Sequence, residues 1–164
     1  MRMRVHPRHR AAVSFAALLV AALLSTAASC PTKPVTLIGE SGLAVAVAIG
    51  HVQGAVRQLT DAGAIPPATA LAIQSQLLRV NSRLEFLPNA LRAADALLTA
   101  GSSADEPLDQ ALAILRLVSR DLSIVVAGVP ISMVTQPLLD LTVAAQETVV
   151  TTLVAVAKLR GARR

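Results

Sequence analysis

The chain has almost no aromatic side chains. Phe15 and Phe86 are its two phenylalanines, and tyrosine and tryptophan are missing. Sites for sugars and nucleic-acid bases commonly use aromatic faces as stacking platforms, so both ligand classes lose ground. Cysteine occurs once, as Cys30. One thiol excludes an internal disulfide framework and a cysteine-based zinc site. Histidine occurs at His6, His9 and His51, the first two ahead of a long apolar run. One histidine cannot hold a metal alone, and no serine or acid stands at a recognisable catalytic spacing around it. His51 is expected to be a boundary histidine on a helix. No glycine-rich loop follows a strand pattern, so phosphate-cradling motifs are missing too. No catalytic residue, metal ligand or cofactor site is expected, and the chain does not read as an enzyme.

Positive charge is scarcer than the net +5 suggests. Arg2, Arg4, Arg8 and Arg10 all precede the apolar run. From Cys30 onward eleven Lys/Arg face ten Asp/Glu. The body is nearly neutral and lacks the basic footprint of a nucleic-acid-binding protein.

What the N-terminus does contain is ordered. Residues 1–10, MRMRVHPRHR, are basic; residues 11–24, AAVSFAALLVAALL, are uncharged; residues 25–29, STAAS, are small. This is the order of a secretory signal: arginines stay on the cytoplasmic side, the apolar run inserts, and small residues fit the peptidase cleft. Ala28 and Ser29 followed by Cys30 resemble the end of a bacterial lipoprotein precursor signal. There a cysteine after a leucine and two small residues receives lipid on sulfur and becomes the new N-terminus. Ala27 stands where that pattern prefers leucine. The resemblance covers about thirty residues and implies a lipidation site at Cys30, export to the bacterial cell envelope and a membrane anchor. Two other outcomes fit the same residues. An ordinary signal peptidase could cut after Ala27 or Ala28. Residues 11–29 are also long enough to span a bilayer uncut. The division expected is a signal peptide over 1–29, a short proline-bearing tether over 30–35, a helical bundle domain over 36–160 and a basic tail over 161–164.

The body carries helical periodicity. Val45, Ile49, Val52, Val56 and Leu59 recur at spacings of four and three, one face of a first helix that Gly63, Pro66 and Pro67 end. On the same segment Gly42, Ala46, Gly50 and Gly54 recur every four residues, a smooth ridge suited to close helix packing inside a bundle or, in lipid, to helix association. Ile73, Leu77, Val80, Leu84, Leu87, Leu91, Ala94 and Leu98 define a second helical segment over 68–99, with Pro88 predicted to kink or break it near 85–87. Residues 103–106, SADE, read as a capping box ahead of a third stripe, Leu108, Ala111, Leu115, Val118, Leu122 and Val125. Residues 129–136 read as a loop. The last segment, 136–160, is ambiguous. Leu138, Leu139, Val143, Val150, Leu153 and Ala157 give a partial stripe, but 148–157, TVVTTLVAVA, is apolar or threonine on every side and rich in β-branched types. Short connections then predict an all-α, up-down antiparallel four-helix bundle.

The charged residues of the body have ordinary explanations. Asp105, Glu106 and Asp109 suit a helix N-terminus. Arg79 with Arg83, and Arg116 with Arg120, lie one turn apart. Each pair fits an anion clamp, but the simpler expectation is a solvent face with Glu85 and Asp121 as exposed partners, worth under about 1 kcal/mol each. The expected function is binding or scaffolding in the envelope: attachment to the membrane through a lipid anchor, with an envelope protein or a second copy as partner. The alternatives are a membrane-active protein associating through the Gly42 ridge and 149–156, and a carrier of an apolar small molecule between its helices.

Overall fold

The computed structural model describes residues 33–132 and 134–161. The signal segment, Cys30 and residues 162–164 lie outside the described residues. Among the described residues the protein is all-α, with five helices and no strand: α1 (Pro34–Asp61), α2 (Pro67–Leu84), α3 (Leu87–Thr99), α4 (Asp105–Gly128) and α5 (Gln136–Gly161).

Proline and glycine set most of the boundaries. Pro34 and Pro67 occupy the first helical positions of α1 and α2, where a missing N–H costs nothing and the fixed φ is already helical. Pro34, expected in the tether, thus belongs to α1. Gly63 and Gly101 have positive φ, 68° and 72°, and close α1 and α3 in the same way. Gly63 N–H donates to Thr60 O and Ala64 N–H to Leu59 O; Gly101 N–H donates to Leu98 O and Ser102 N–H to Leu97 O. These are Schellman closures, which satisfy carbonyls the helix leaves open.

The segment 68–99 is two helices. Glu85 and Phe86 separate them, both with αR backbone, and Pro88 sits in the first turn of α3. The buried stripe nonetheless runs in phase across the break: Ile73, Leu77, Val80 and Leu84 on α2, Leu87 and Ala94 on α3. The capping box at 103–106 does not form. Ala104 is the N-cap residue and makes no side-chain cap. Ser103 Oγ instead donates to Asp105 Oδ2 at 2.8 Å and accepts from Asp105 N–H at 3.3 Å. Its hydroxyl is thus engaged at Asp105 rather than at the Glu106 N–H that a capping box uses.

One apolar core joins all five helices. α1 and α4 each touch the other four; α1 lies longest against α5, and α4 lies against α2, α5 and α3. With no aromatic among the described core residues, closeness of approach replaces side-chain bulk. Gly42 shows this directly: Leu87 of α3 fills the space where a Cβ would stand. Gly42→Val should therefore destabilise by about 1–3 kcal/mol through overpacking. At Gly50 an added methyl group would meet nothing within 4 Å, so Gly50→Ala should stabilise by about 0.5–1 kcal/mol through helix propensity alone. Thermal unfolding of the two variants checks the contrast in sign.

α5 is a helix throughout, which resolves the ambiguity of 148–157, but it does not bury the stripe expected. Val143 and Val150 are exposed, as is Ala157. The buried line is Leu138, Thr142, Ala145, Val149, Thr152 and Val156, with Thr148 beside it. Each threonine returns its hydroxyl to the preceding turn: Thr142 Oγ1 to Leu138 O at 2.8 Å, Thr148 Oγ1 to Ala144 O at 2.8 Å, Thr152 Oγ1 to Thr148 O at 2.9 Å. A hydroxyl satisfied within its own helix can be buried without an open donor. Ahead of α5, buried Thr135 organises the connection, accepting from Ser132 N–H at 3.0 Å and donating to Pro130 O.

Candidate functional site

Among the described residues one charged side chain is buried, and it lies on α4. Asp121 of α4 is 4% exposed. Its Oδ2 lies 2.9 Å from Arg83 Nε on α2, and the Arg83 side chain keeps 31% of its surface in solvent. The approach is close but not aligned as a hydrogen bond: Asp121 Oδ2 and Arg83 Nη1 both lack a hydrogen-bond partner, as does the buried Gln76 Oε1 two turns earlier on α2. The exposed pairing expected of Asp121 is therefore corrected. It is a buried charge held by one guanidinium, beside the α2–α3 break. Its position carried a signal, since it stands three residues after Val118 and four before Val125, on the flank of the α4 stripe.

A second cluster lies where the end of α5 meets the start of α4. Arg160 donates through Nη1 to Asp109 Oδ1 and through Nη2 to Asp105 Oδ1, the latter at 3.0 Å. The hydrogen bond to Asp109, then the field of both carboxylates, raises the Arg160 pKa against a lowering by burial. The guanidinium is permanently charged and committed to this clamp. Along the chain Asp105 and Asp109 fit a helix dipole, and Arg160 fits a helix C-terminus; the tertiary fold is what joins them.

Beside the clamp is an open groove of about 270 Å³ lined by Leu112 and Arg116 of α4 and Leu153, Ala157, Arg160 and Gly161 of α5. Arg116 is exposed. No ion pair or hydrogen bond engages it among the described residues. A wider concavity of about 380 Å³ lies between the end of α1 and the start of α2, with Arg57 and Asp61 on one wall and Leu71 and Gln74 on the other.

The remaining candidates are dispersed. Of the small-residue ridge, Gly42 is buried against Leu87, Gly54 is half-buried, and Ala46 and Gly50 face solvent with Leu43 (69% exposed) and Val47 (55%). The ridge is thus split: one position packs inside the bundle and the rest contributes to an uncharged outer face of α1. His51 is exposed on that helix. Among the described residues no three His, Cys, Asp or Glu side chains come together as a metal site. α1 and α5 are long and apolar enough to cross a membrane; each also buries one stripe in the common core. The chain matches no protein-family model, no curated protein and no solved structure.

Proposed function

We propose that this is an exported, lipid-anchored cell-envelope protein whose helical body acts by binding or scaffolding rather than by catalysis. The observation that carries the proposal is the basic, apolar and small-residue order of residues 1–29 ending at Cys30. It is supported by where the body begins. α1 starts at Pro34, so the tether after Cys30 is a few residues and reaches at most about 14 Å. A lipidated Cys30 would hold the start of α1 at the membrane face. Acyl chains contribute about 0.8 kcal/mol per buried methylene, and two or more chains anchor stably where one does not.

The body reads best as an up-down antiparallel bundle, with α2 and α3 together filling the place of its second helix. The connections support this: residues 62–66 span at most about 18 Å, whereas α1 is about 42 Å long. A chain leaving one end of α1 cannot return to the other before α2 begins, so α2 starts near the end of α1, as an up-down arrangement requires.

Intact-mass measurement tests the anchor. The processed protein should begin at Cys30 and carry the mass of added lipid, and Cys30→Ser should remove that increment and either release the protein from membranes or leave its precursor unprocessed. A processed wild-type chain with an unmodified Cys30 would defeat the proposal. The membrane-active alternative is favoured by the outward Leu43 and Val47 of α1 and Val150 and Val154 of α5. A form beginning at Pro31 that stays with carbonate-washed membranes would support it over the anchor.

A further inference from the structure

We infer that the groove between α4 and α5 is a binding site for a single-chain aliphatic carboxylate, with Arg116 holding the carboxylate and Leu112, Leu153 and Ala157 holding the chain. The inference deepens the binding half of the proposal above and is independent of the anchor.

Three features of the groove lead to this ligand. The first is an available charge. Arg160 is taken by Asp105 and Asp109, which fixes that end of the groove and leaves Arg116 as its guanidinium without a partner among the described residues. A guanidinium fork takes a carboxylate in a bidentate, charge-assisted pair. The second is the surface next to that charge. Leu112 and Arg116 are one turn apart on α4. Val150, Leu153 and Ala157 follow at spacings of three and four on α5 and so share one side of it. Val150 is 45% exposed, so the apolar strip runs on beyond Leu153. An aliphatic strip without an aromatic wall suits a flexible chain better than a flat ring. The third is the local balance of charge. Asp105 and Asp109 stand at one end, so a monoanion meets less repulsion than a phosphate dianion would. The volume, about 270 Å³, falls just under the usual range of about 300–1,000 Å³ for enclosed ligand pockets. That fits a short chain lying along the seam.

The wider concavity at the α1–α2 junction is a poorer candidate for an anion, because Asp61 lines it together with Arg57.

Arginine modification of the full-length chain by phenylglyoxal, followed residue by residue with mass spectrometry, tests the site without needing a named natural ligand. Octanoate is the probe. Modification occurs only in the unliganded state, so at about ten times its Kd octanoate should slow Arg116 roughly tenfold by mass action. Arg79, exposed on α2, should keep its rate and serves as the internal reference. Octanol supplies the chain without the charge, acetate the charge without the chain, and octyl phosphate the dianion; each should protect Arg116 less than octanoate. Leu153→Asn should abolish protection while leaving the helical circular dichroism and the unprotected rate at Arg116 unchanged. The inference is overturned if octanoate leaves Arg116 unprotected, if it slows Arg79 equally, if acetate protects as well, or if octyl phosphate protects better. None of these outcomes bears on whether Cys30 is lipidated, so the two proposals stand or fall separately.

Discussion

Leu115→Ala is expected to cost about 2–5 kcal/mol, the range for emptying a fully buried leucine position. Leu115 is completely buried at the middle of α4, and α4 touches every other described helix. The loss has two parts. Removing the side chain forfeits its transfer free energy, and the surrounding structure collapses only partly into the space left behind. Collapse should be limited here, because the neighbours are Val, Ile, Leu and Ala on five helices already in close contact, with no aromatic ring or methionine among the described core residues to rearrange into the gap. Small domains have about 5–15 kcal/mol of stability in total, so this one change could take a third of it. Leu117, two residues on, is 43% exposed; Leu117→Ala should stay within about 0.5 kcal/mol of wild type. Urea unfolding followed by circular dichroism gives both numbers, with an unchanged denaturant slope as the sign that stability alone has moved. A Leu115→Ala cost below about 1 kcal/mol would mean that α4 is not the centre of the core.

Arg83→Met should be the next most damaging change. Removing one member of a fully buried ion pair costs about 3–5 kcal/mol, because the other charge is left in a poor solvent. Asp121 meets that description. Arg83 does not fully, since 31% of its side chain is in water, so the loss should fall toward the lower end of the range. The same difference predicts an asymmetry. Asp121→Leu leaves Arg83 able to turn its charge toward solvent and should cost less than Arg83→Met. The double variant Arg83→Met/Asp121→Leu should recover most of the loss, since an apolar pair of similar volume carries no desolvation penalty. Thermal or urea unfolding of the four proteins closes the cycle, and a coupling of more than about 1 kcal/mol is expected for side chains in contact. If Asp121→Leu proves the costlier single change, the aspartate is not the trapped charge of the pair.

These two residues show where sequence patterns work and where they stop. Leu115 belongs to a stripe of apolar side chains spaced three and four apart, and each of its members is buried as that spacing requires. The stripes of α1 and of α2 continuing into α3 turn inward as well, with Leu59, Leu91 and Leu98 half-buried against the core. Helical periodicity is a one-helix property, so it survives a break at Glu85 and Phe86 that keeps the phase. Asp121 stands at equally good helical spacing from Val118 and Val125, yet a charged side chain is ordinarily assigned to the surface. Arg83 lies on another helix, and no local rule brings it to Asp121. The clamp of Arg160 on Asp105 and Asp109 and the groove beside it are of the same kind. Their residues are unremarkable until α4 and α5 lie side by side.

α5 marks the boundary most sharply. Leu138, Thr142, Ala145, Val149, Thr152 and Val156 keep the four-three spacing without a fault, but two threonines interrupt its apolar character. An apolar count therefore favours Val143, Val150 and Ala157 instead, and these face outward. Residue order alone was enough to make this body helical, to end most of its helices at glycine and proline, and to choose the inward side of α1 to α4. Those features depend on backbone conformation and on contacts within a turn. Which side of α5 is buried was settled by packing, because a threonine can spend its hydroxyl on its own helix and present its methyl to the core only where neighbouring helices take up that face. Packing likewise buried Asp121 and left Arg116 beside an aliphatic groove. Both depend on which side chains of distant segments are brought together.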